Sequence, residues 1–374
     1  MLFREIIGLE ETKATLINAI RSNHVAHAQL FLGNEGTANL TLALAYATYI
    51  NCEDKQPTDA CGVCSSCVKM AKIIHPDLHF VLPIAGNTKI TKPKTADFMK
   101  EWRTFLLQNP YQNLSHWLTM IDAESKLPSI SAEEARGIVG TLSMKSFEGE
   151  YKILIIWLPE YMNVTAANAI LKILEEPPEK TLFLLVAQNL DRMLVTILSR
   201  TQLVRVRDFE EAEIQTYLST ELDAPLSKAQ QVAKLSEGSL LRAKELAEGI
   251  SDDNQVIFRD WMRDCYGRKI PDLYAKMEVF AKRNKDEQKN LLLYGLNICR
   301  ESLVWQYAGE EIVRLDGENL TFVQGFAKVI NPNNVGYLSE YLSDALAHLE
   351  RNASAKIVFL DTSLKISNVI KIQA

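Results

Sequence analysis

The amino-acid sequence predicts an α/β fold in which a parallel sheet flanked by helices is followed by an all-helical part. Ile153–Ile156 and Thr181–Ala187 are continuous apolar runs, which is typical of strands buried on both faces of a parallel sheet. Helical patterns alternate with these runs along the chain, as in doubly wound α/β domains. From about Phe209 onward the strand patterns stop and the apolar spacing is helical.

The predicted elements follow one another in an order that suits a single α/β domain. Strands are predicted at Leu30–Leu32, Pro76–Leu82, Tyr151–Ile156, Thr181–Ala187 and Leu203–Val206, and helices at Ile7–Ile20, Leu40–Ile50, Ser131–Met144 and Ala166–Glu175. Ser131 and Glu134 stand three residues apart, as in a capping box. Pro177 and Pro178 end the last of these helices, because proline cannot continue a helical backbone.

The chain divides into three predicted parts. Residues 1–207 form the α/β core, which contains a cysteine loop at 52–67 and an insertion at about 83–128. Residues 208–250 read as a small group of three short helices, at Glu210–Leu218, Ser227–Leu235 and Ser239–Glu248. Residues 255–374 read as a longer helical domain, separated from the small group by the polar stretch around Ser251.

Composition narrows the class of protein. The chain is 47% hydrophobic and 24% charged, which is ordinary for a soluble globular protein. A net charge of −6 argues against a wholly basic nucleic-acid binder. The first eight residues are too charged for a signal peptide, and no apolar run approaches the ~18–20 residues of a membrane span. We therefore expect a cytoplasmic protein without membrane contact.

Four of the six cysteines are clustered in the pattern C-x8-C-x2-C-x2-C, at Cys52, Cys61, Cys64 and Cys67. Three thiolates on one tight turn and a fourth folded back across the loop form the tetrahedral ligand set of structural zinc. An iron–sulfur cluster would use similar ligands, and four unrelated thiols are the plain alternative. All four positions are cysteine, so we expect a structural metal rather than a catalytic one.

A degenerate phosphate-binding loop follows the first predicted strand. The segment Gly33-Asn34-Glu35-Gly36-Thr37-Ala38-Asn39-Leu40 has the strand–loop–helix setting of G-x-x-x-x-G-K-[ST]. Ala38 replaces the second glycine, Asn39 replaces the lysine that reaches the phosphates, and Leu40 replaces the hydroxyl that binds Mg²⁺. ATP binding by this chain is therefore not expected.

A second defect concerns the end of the strand at 151–156. An ATP-hydrolysing protein would have an aspartate and a further acidic residue there, to hold Mg²⁺ and polarise water. This chain has Trp157 and Leu158, and the next acidic residue is Glu160. Both halves of one chemistry are missing, which indicates that the chain has been released from ATP hydrolysis.

Two arginines remain candidates for phosphate contacts. Ser199 and Arg200 close an apolar helix just before the strand at Leu203, where an arginine can reach a γ-phosphate on a neighbouring subunit. The plain alternative is that Arg200 caps carbonyls or pairs with Glu175. Arg242, near the start of a helix in the 208–250 part, either contacts nucleotide or serves only packing.

The insertion is unusual in composition, with lysines and large aromatic residues close together: Lys89, Lys92, Lys94, Trp102, Phe105, Tyr111 and Trp117. Aromatic side chains beside lysines can stack on the bases of single-stranded nucleic acid. In an inserted helical segment they more often form a small core of their own.

Several of these strings together resemble the delta-prime family of bacterial DNA polymerase III clamp-loader subunits, which belong to the AAA+ superfamily. The resemblance covers most of the chain and includes Ile7–Glu10, His27–Phe31, the four cysteines, His75–Asp77, Ala166–Pro178, Ile197–Arg200 and Arg351–Lys356. Active gamma/tau subunits keep the loop lysine and the acidic pair that this chain lacks. The third residue of the family's Ser-Arg-Cys motif is Thr201 here.

The resemblance implies a fold and a mechanism. Residues 1–207 would be the AAA+ core, 208–250 its helical lid and 255–374 a collar domain that joins a hetero-oligomer. The chain would be an end subunit of a pentamer with three gamma/tau ATPase subunits and delta, which places the sliding clamp on primed DNA. It would have no ATPase or polymerase activity, and Arg200, with Ser199 beside it, would act in trans in a neighbouring ATP site.

Two other functions remain open from the sequence. The chain could be a gamma/tau-like ATPase with unusual loop chemistry, although Asn39 and Trp157 oppose this. It could also be a zinc-containing DNA-binding protein that uses the cysteine loop and the insertion, although its acidic balance is unfavourable.

Overall fold

The computed structural model describes residues 1–87, 90–91, 93–124, 126–142, 145–249, 253–309, 317–351 and 353–372. Lys89, Lys92, Met144, Ser251 and Asn352, which the sequence analysis singled out or included, lie outside the described residues. The chain forms two compact units, Met1–Glu213 with Gly238–Leu241 and Ile214–Glu237 with Arg242–Ala374. The finer division into three parts stays a prediction.

The first unit is built on a five-stranded parallel sheet. Its strands are β1 (Ala28–Leu32), β2 (Leu78–Val81), β3 (Lys152–Trp157), β4 (Thr181–Ala187) and β5 (Gln202–Arg205), in the order β2-β3-β4-β1-β5. Every residue of β3 and β4 is buried, as the two apolar runs predict. The α/β prediction is confirmed, and the bounds of all five strands lie within two residues of those predicted from the sequence.

Helices cover the sheet. They are α1 (Glu10–Arg21), α2 (Asn39–Ile50), α3 (Ser65–Ala71), α4 (Met99–Gln108), α5 (Leu114–Met120), α6 (Ala132–Leu142), α7 (Val164–Glu175) and α8 (Val195–Leu198). All residues of α2 are buried, because this helix follows β1 directly and contacts three central strands. Apolar residues of α6 and α7 join those of β1, β3 and β4 in one core cluster.

Local backbone and capping geometry explains two differences from the sequence prediction. α1 begins at Glu10 rather than Ile7, because Gly8 and Leu9 both have left-handed backbone conformations that a helix cannot contain. At α6, Ser131 Oγ accepts a hydrogen bond from the Glu134 backbone N–H at 3.2 Å, so the N-cap is confirmed. The Glu134 carboxylate accepts instead from the backbone N–H of Thr95, which lies in the insertion.

The insertion leaves and rejoins the unit at one point. Ile84 and Ser129 exchange backbone hydrogen bonds of 3.2 and 3.0 Å in an isolated antiparallel bridge. Within the insertion, α4 and α5 pack together, and Trp117 donates its indole N–H to the Pro83 carbonyl at 3.0 Å. The insertion is therefore a loop closed at its stem, and its bounds of 83–128 stay a prediction.

The second unit is helical in its described residues. Its helices are α9 (Glu211–Glu221, whose first turn belongs to the first unit), α10 (Leu226–Leu235), α11 (Leu240–Gly249, which also begins in the first unit), α12 (Asp253–Gly267), α13 (Ile270–Lys282), α14 (Lys285–Ala308), α15 (Gly317–Phe326), α16 (Val335–Glu350) and α17 (Ala355–Val369). Trp261 of α12 stacks on Phe359 of α17 at 4.6 Å and donates its indole N–H to Ser363. Buried aromatic rings therefore hold α12 and α17 together.

A buried aspartate joins the start of β2 to the loop that precedes β3. The Asp77 carboxylate accepts backbone N–H bonds from Phe147 at 2.6 Å, Glu148 at 2.9 Å and Gly149 at 2.7 Å. Burial raises the pKa of Asp77, but the three N–H donors outweigh burial and leave the pKa below its ordinary value. This carboxylate is therefore a fixed part of the scaffold.

We predict that Asp77→Asn lowers the free energy of unfolding by about 2–3 kcal/mol at neutral pH, because an amide cannot accept from all three donors. The contribution of Asp77 is present above the unfolded-state pKa and is lost as the pH falls through the lower folded-state pKa. The difference in the free energy of unfolding between the wild type and Asp77→Asn should therefore become smaller in acid. Urea unfolding at several pH values measures it, with Asp223→Asn, at an exposed position, as the matched control. An equal effect of both substitutions would contradict the clamp.

Candidate functional site

The four clustered cysteines lie where α2 ends and α3 begins. Their sulfur atoms all lie within 4.8 Å of one another. Cys64 caps α3 and Cys67 lies inside it, while Cys52 follows the last turn of α2. Backbone N–H groups donate to three of the sulfurs, at 3.3 Å from Cys61 to Cys52, 3.3 Å from Cys64 to Cys61, and 3.4 Å from Cys67 to Cys64.

These thiols fit a tetrahedral metal. Zinc–sulfur bonds of about 2.3 Å place sulfur atoms roughly 3.8 Å apart, and the Cys61 and Cys67 sulfurs are 3.9 Å apart. Burial raises the pKa of Cys52 and Cys67, while the backbone N–H groups of Val63 and Cys64 lower the pKa of Cys61 to about 7. A bound cation would hold all four as thiolates, and a closed set of four leaves no position for substrate.

The cysteine loop is tied to the start of the chain by Asp59. Its carboxylate accepts from the backbone N–H groups of Phe3 and Arg4, each at 3.0 Å, and from that of Ala60 at 2.7 Å. His79 belongs to β2 and His75 lies in the loop that precedes it, and among the described residues the group that could hold a metal contains cysteines alone. The site therefore supports the fold at the end of α2.

The degenerate phosphate loop is closed by the side chain of Asn39. Its amide nitrogen donates to the Gly33 carbonyl at 3.3 Å and to the Ala187 carbonyl at 3.2 Å. Its amide oxygen accepts from the backbone N–H of Leu40 at 2.9 Å. An N–H group that a working loop would offer to phosphate is thus satisfied within the chain.

The rest of the loop is also covered. Gly33 and the residues from Gly36 to Leu40 are buried, and only Asn34 and Glu35 are exposed. The carbonyl of Gly36 accepts from the Leu240 backbone N–H at 2.9 Å, and a side chain at Gly36 would collide with Ser239. Thr37 turns its hydroxyl to the Asn34 carbonyl at 2.8 Å. The loop is therefore held by contacts within the chain, with Asn39 and Leu40 at the positions of the lysine and the hydroxyl.

The ends of β3 and β4 show the second defect in place. Trp157 is buried at the end of β3, and the Leu158 side chain is fully buried. Glu160 Oε1 accepts from the backbone N–H groups of Gln188 at 2.9 Å and Asn189 at 3.2 Å, just after β4. Burial raises the pKa of Glu160. This acid secures a loop and does not replace the missing metal-binding aspartate.

The insertion packs against the tryptophan that replaces that aspartate. The Trp157 ring lies 5.0 Å from Trp102 and 5.7 Å from Phe105, ring centre to ring centre. Nearby, Asn113 donates to the Glu35 carboxylate of the phosphate loop at 2.8 Å. Sequence reasoning missed these contacts. The available signal was the coincidence of a tryptophan at a catalytic position with an insertion rich in aromatic residues.

The aromatic side chains of the insertion are not available for stacking on bases. Trp102, Phe105 and Trp117 have no exposed surface, and Tyr111 is 6% exposed and packs edge-on against Phe209. The structure therefore confirms that these rings form a core, and it excludes nucleic-acid stacking by them.

Arg200 lies at the surface after α8, where the sequence placed it, and is engaged by neighbouring groups. Its Nε donates to Glu175 Oε1 at 2.7 Å, and its Nη2 also contacts that oxygen. Its Nη1 donates to the Thr196 carbonyl at 2.8 Å and to Ser199 Oγ at 3.2 Å. The side chain remains 32% exposed.

Arg242 lies in α11, in the second unit. Its guanidinium donates to Glu237 Oε2 at 2.7 Å and to Asn297 Oδ1 at 2.8 Å. These contacts join α11 to α14 within that unit, which is a packing role for the side chain.

Comparison with known proteins identifies a family and several related proteins. The model of the family described as "DNA polymerase III, delta subunit" matches residues 8–210, more than half of the chain. The gamma subunit of Buchnera aphidicola DNA polymerase III is 24% identical over 318 residues, 83% of this chain and 76% of that protein. The delta' subunit of Pseudomonas aeruginosa is 29% identical over 239 residues, 63% of this chain and 60% of that protein.

The tau/gamma subunit of Haemophilus influenzae is 26% identical over 251 residues, 66% of this chain. The chain spans only 30% of the length of that protein. None of the described helices has the length and apolar character of a membrane span.

We predict that Cys64→Ser lowers zinc content and destabilises the first unit, because a structural metal contributes its binding energy to folding. Zinc content is measured by elemental analysis beside the thermal unfolding of each protein. Cys299→Ala, which removes a buried thiol of the second unit, is the matched control and should keep its zinc. Equal zinc in all three proteins, or none in the wild type, would contradict the site.

We predict that the isolated chain does not bind Mg²⁺-ATP, because the loop lacks the lysine and the hydroxyl that hold the phosphates and Mg²⁺, and the Leu40 N–H already donates to Asn39. Calorimetric titration should show no saturable heat, and nucleotide should not raise the unfolding temperature, as any ligand of the native state would. A gamma/tau ATPase subunit that keeps the loop lysine is the positive control. Saturable binding by this chain would show that the loop opens.

Proposed function

The chain belongs to the DNA polymerase III delta subunit family, and from that premise we propose that it is a non-hydrolysing, delta-prime-like subunit of the replicative clamp loader. In this proposal the first unit is an AAA+ module that has lost its own nucleotide. The complete chain helps to place the sliding clamp on primed DNA and serves the chemistry of a neighbouring subunit.

The observation that carries the proposal is the side chain of Asn39. A lysine at this position would extend toward the phosphates, whereas the asparagine amide turns back onto Gly33 and Ala187. Together with Trp157, packed beneath the insertion, it supports a module that keeps its shape without ATP. These two residues support a non-hydrolysing subunit over a gamma/tau-type ATPase on chemical grounds.

The role proposed for Arg200 is that of a trans-acting finger. Its side chain is partly exposed at the surface of the first unit and donates a hydrogen bond to Ser199. A guanidinium supplied by a neighbouring subunit stabilises the charge that develops on a transferred phosphoryl group and is worth ~10³–10⁵ in rate. Ser199 contributes by holding one nitrogen of the guanidinium.

The remaining parts are assigned by the same proposal. The helices after residue 255 form the collar through which the chain joins gamma/tau and delta subunits in a hetero-oligomer. Residues 208–250 are the helical lid, in which Arg242 serves packing through Glu237 and Asn297. The zinc expected at the cysteines is structural, and primed DNA is met only within the complex.

The same residues bear on two alternative functions. A gamma/tau-like ATPase is favoured by the names of several relatives, but it would need the lysine and the acidic pair. An independent zinc-containing DNA-binding protein would need exposed aromatic or basic side chains, and the aromatic rings of the insertion are buried.

We predict that Arg200→Ala lowers DNA-stimulated ATP hydrolysis of the reconstituted loader by at least about one third, the share of one active site among three. The loss should appear in the turnover number, because the guanidinium, already in contact with the bound nucleotide, interacts more strongly with the transition state. The measurement uses the chain mixed with the gamma/tau and delta subunits of its own organism, the clamp and primed DNA.

Arg205→Ala is the matched control, since it removes the same charge from an exposed position at the end of β5. Size-exclusion chromatography shows that each variant still assembles. Unchanged hydrolysis with Arg200→Ala, or hydrolysis by this chain alone, would overturn the proposed function.

A further inference from the structure

The guanidinium of Arg200 is almost fully used inside its own chain. Four of its five N–H groups have acceptors: one oxygen of Glu175 takes two, and the Thr196 carbonyl and Ser199 Oγ take one each. A phosphate bound by two parallel N–H groups would need at least one of these contacts to open. Of the three acceptors, only Glu175 carries a full negative charge that would repel the phosphate.

The position of Glu175 is unfavourable for its own helix. It is the last residue of α7, and Glu176 follows as the C-cap. Carboxylates at a helix C-terminus oppose the partial negative charge of the unpaired carbonyls there. Helix stability therefore does not explain a carboxylate at this place, whereas the contact with Arg200 does.

We propose that Glu175 is a latch that holds Arg200 against its own chain until a polyphosphate on a neighbouring subunit competes for the guanidinium. This proposal rests on the proposed function, in which Arg200 acts in trans. Glu175 acts through Arg200 and is a positioning residue. Release exchanges one anionic partner for another, so the finger is neutralised in both states and carries an unpaired charge only during transfer.

The ion pair between Arg200 and Glu175 is weak enough for a competing anion to break it. Both side chains are partly exposed, 32% for Arg200 and 48% for Glu175. Exposed ion pairs contribute little to stability and are screened by salt. A γ-phosphate with its higher charge can therefore displace the carboxylate without any change in the core, and the Nη1 contacts with Thr196 and Ser199 keep the side chain near the helix end.

The first experiment uses the isolated chain and does not depend on any clamp loader. Phenylglyoxal modifies accessible guanidinium groups, and mass spectrometry follows its reaction at Arg200. Glu175→Gln should raise the modification rate about two- to fivefold, the factor expected for loss of an exposed ion pair. Glu175→Asp, which keeps the charge, should return the rate toward that of the wild type. Glu176→Gln, the matched change one residue away, should leave it unaltered.

The second experiment uses the reconstituted loader with primed DNA and clamp. Glu175→Gln should lower the ATP concentration that gives half-maximal hydrolysis by about two- to fivefold, with the turnover number unchanged. A lower turnover number would overturn the latch, since Glu175 would then be needed while phosphate is bound. Equal rates for Glu175→Gln and Glu176→Gln in both experiments would also overturn it.

The latch and the proposed function fail in different ways. If Arg200→Ala has no effect on the loader, the trans-acting finger is wrong whatever the labelling shows. If Arg200→Ala lowers hydrolysis while Glu175→Gln changes neither labelling nor half-saturation, the finger stands and the latch falls.

Discussion

Asn39 places a neutral amide between two carbonyl groups that end neighbouring strands, Gly33 after β1 and Ala187 at the end of β4. The site is buried, so each of these carbonyls would lose one hydrogen bond if the amide were absent, and Ala187 would keep only the bond from the Gly33 N–H. A lysine there would bring a charge that only a phosphate could offset. The amide thus ties the loop to the ends of two strands of the sheet.

Trp157, which replaces the metal-binding aspartate at the end of β3, packs against the insertion. An aspartate at position 157 would lie beneath Trp102 and Phe105, where a carboxylate without a metal would be desolvated at a high cost. Trp157 turns that position into apolar contact. Asn113 then reaches Glu35 on the loop, so the insertion touches both places where the nucleotide chemistry has been lost.

The sequence was informative where the signal is local. The apolar runs predicted β3 and β4, the Ser131 N-cap was confirmed, and the cysteine spacing predicted a cluster whose sulfurs do lie together. It was silent where partners are far apart in the chain. The Glu134 carboxylate binds Thr95, and Asn113 binds Glu35 across 78 positions, because tertiary packing rather than propensity decides these contacts. The predicted start of α1 was wrong because two residues with left-handed backbone conformations precede the helix.

Charged groups in the first unit fall into two kinds, and the difference bears on function. Asp59 and Asp77 are buried carboxylates that accept several backbone N–H bonds, so they cannot exchange partners without loss of structure. Arg200 and Glu175 are exposed and form a pair that solvent and salt weaken. In the proposed function, a subunit that does no chemistry on its own nucleotide would need a rigid body and one movable contact. The buried carboxylates supply the first, and the surface arginine, paired but not buried, is suited to be the second.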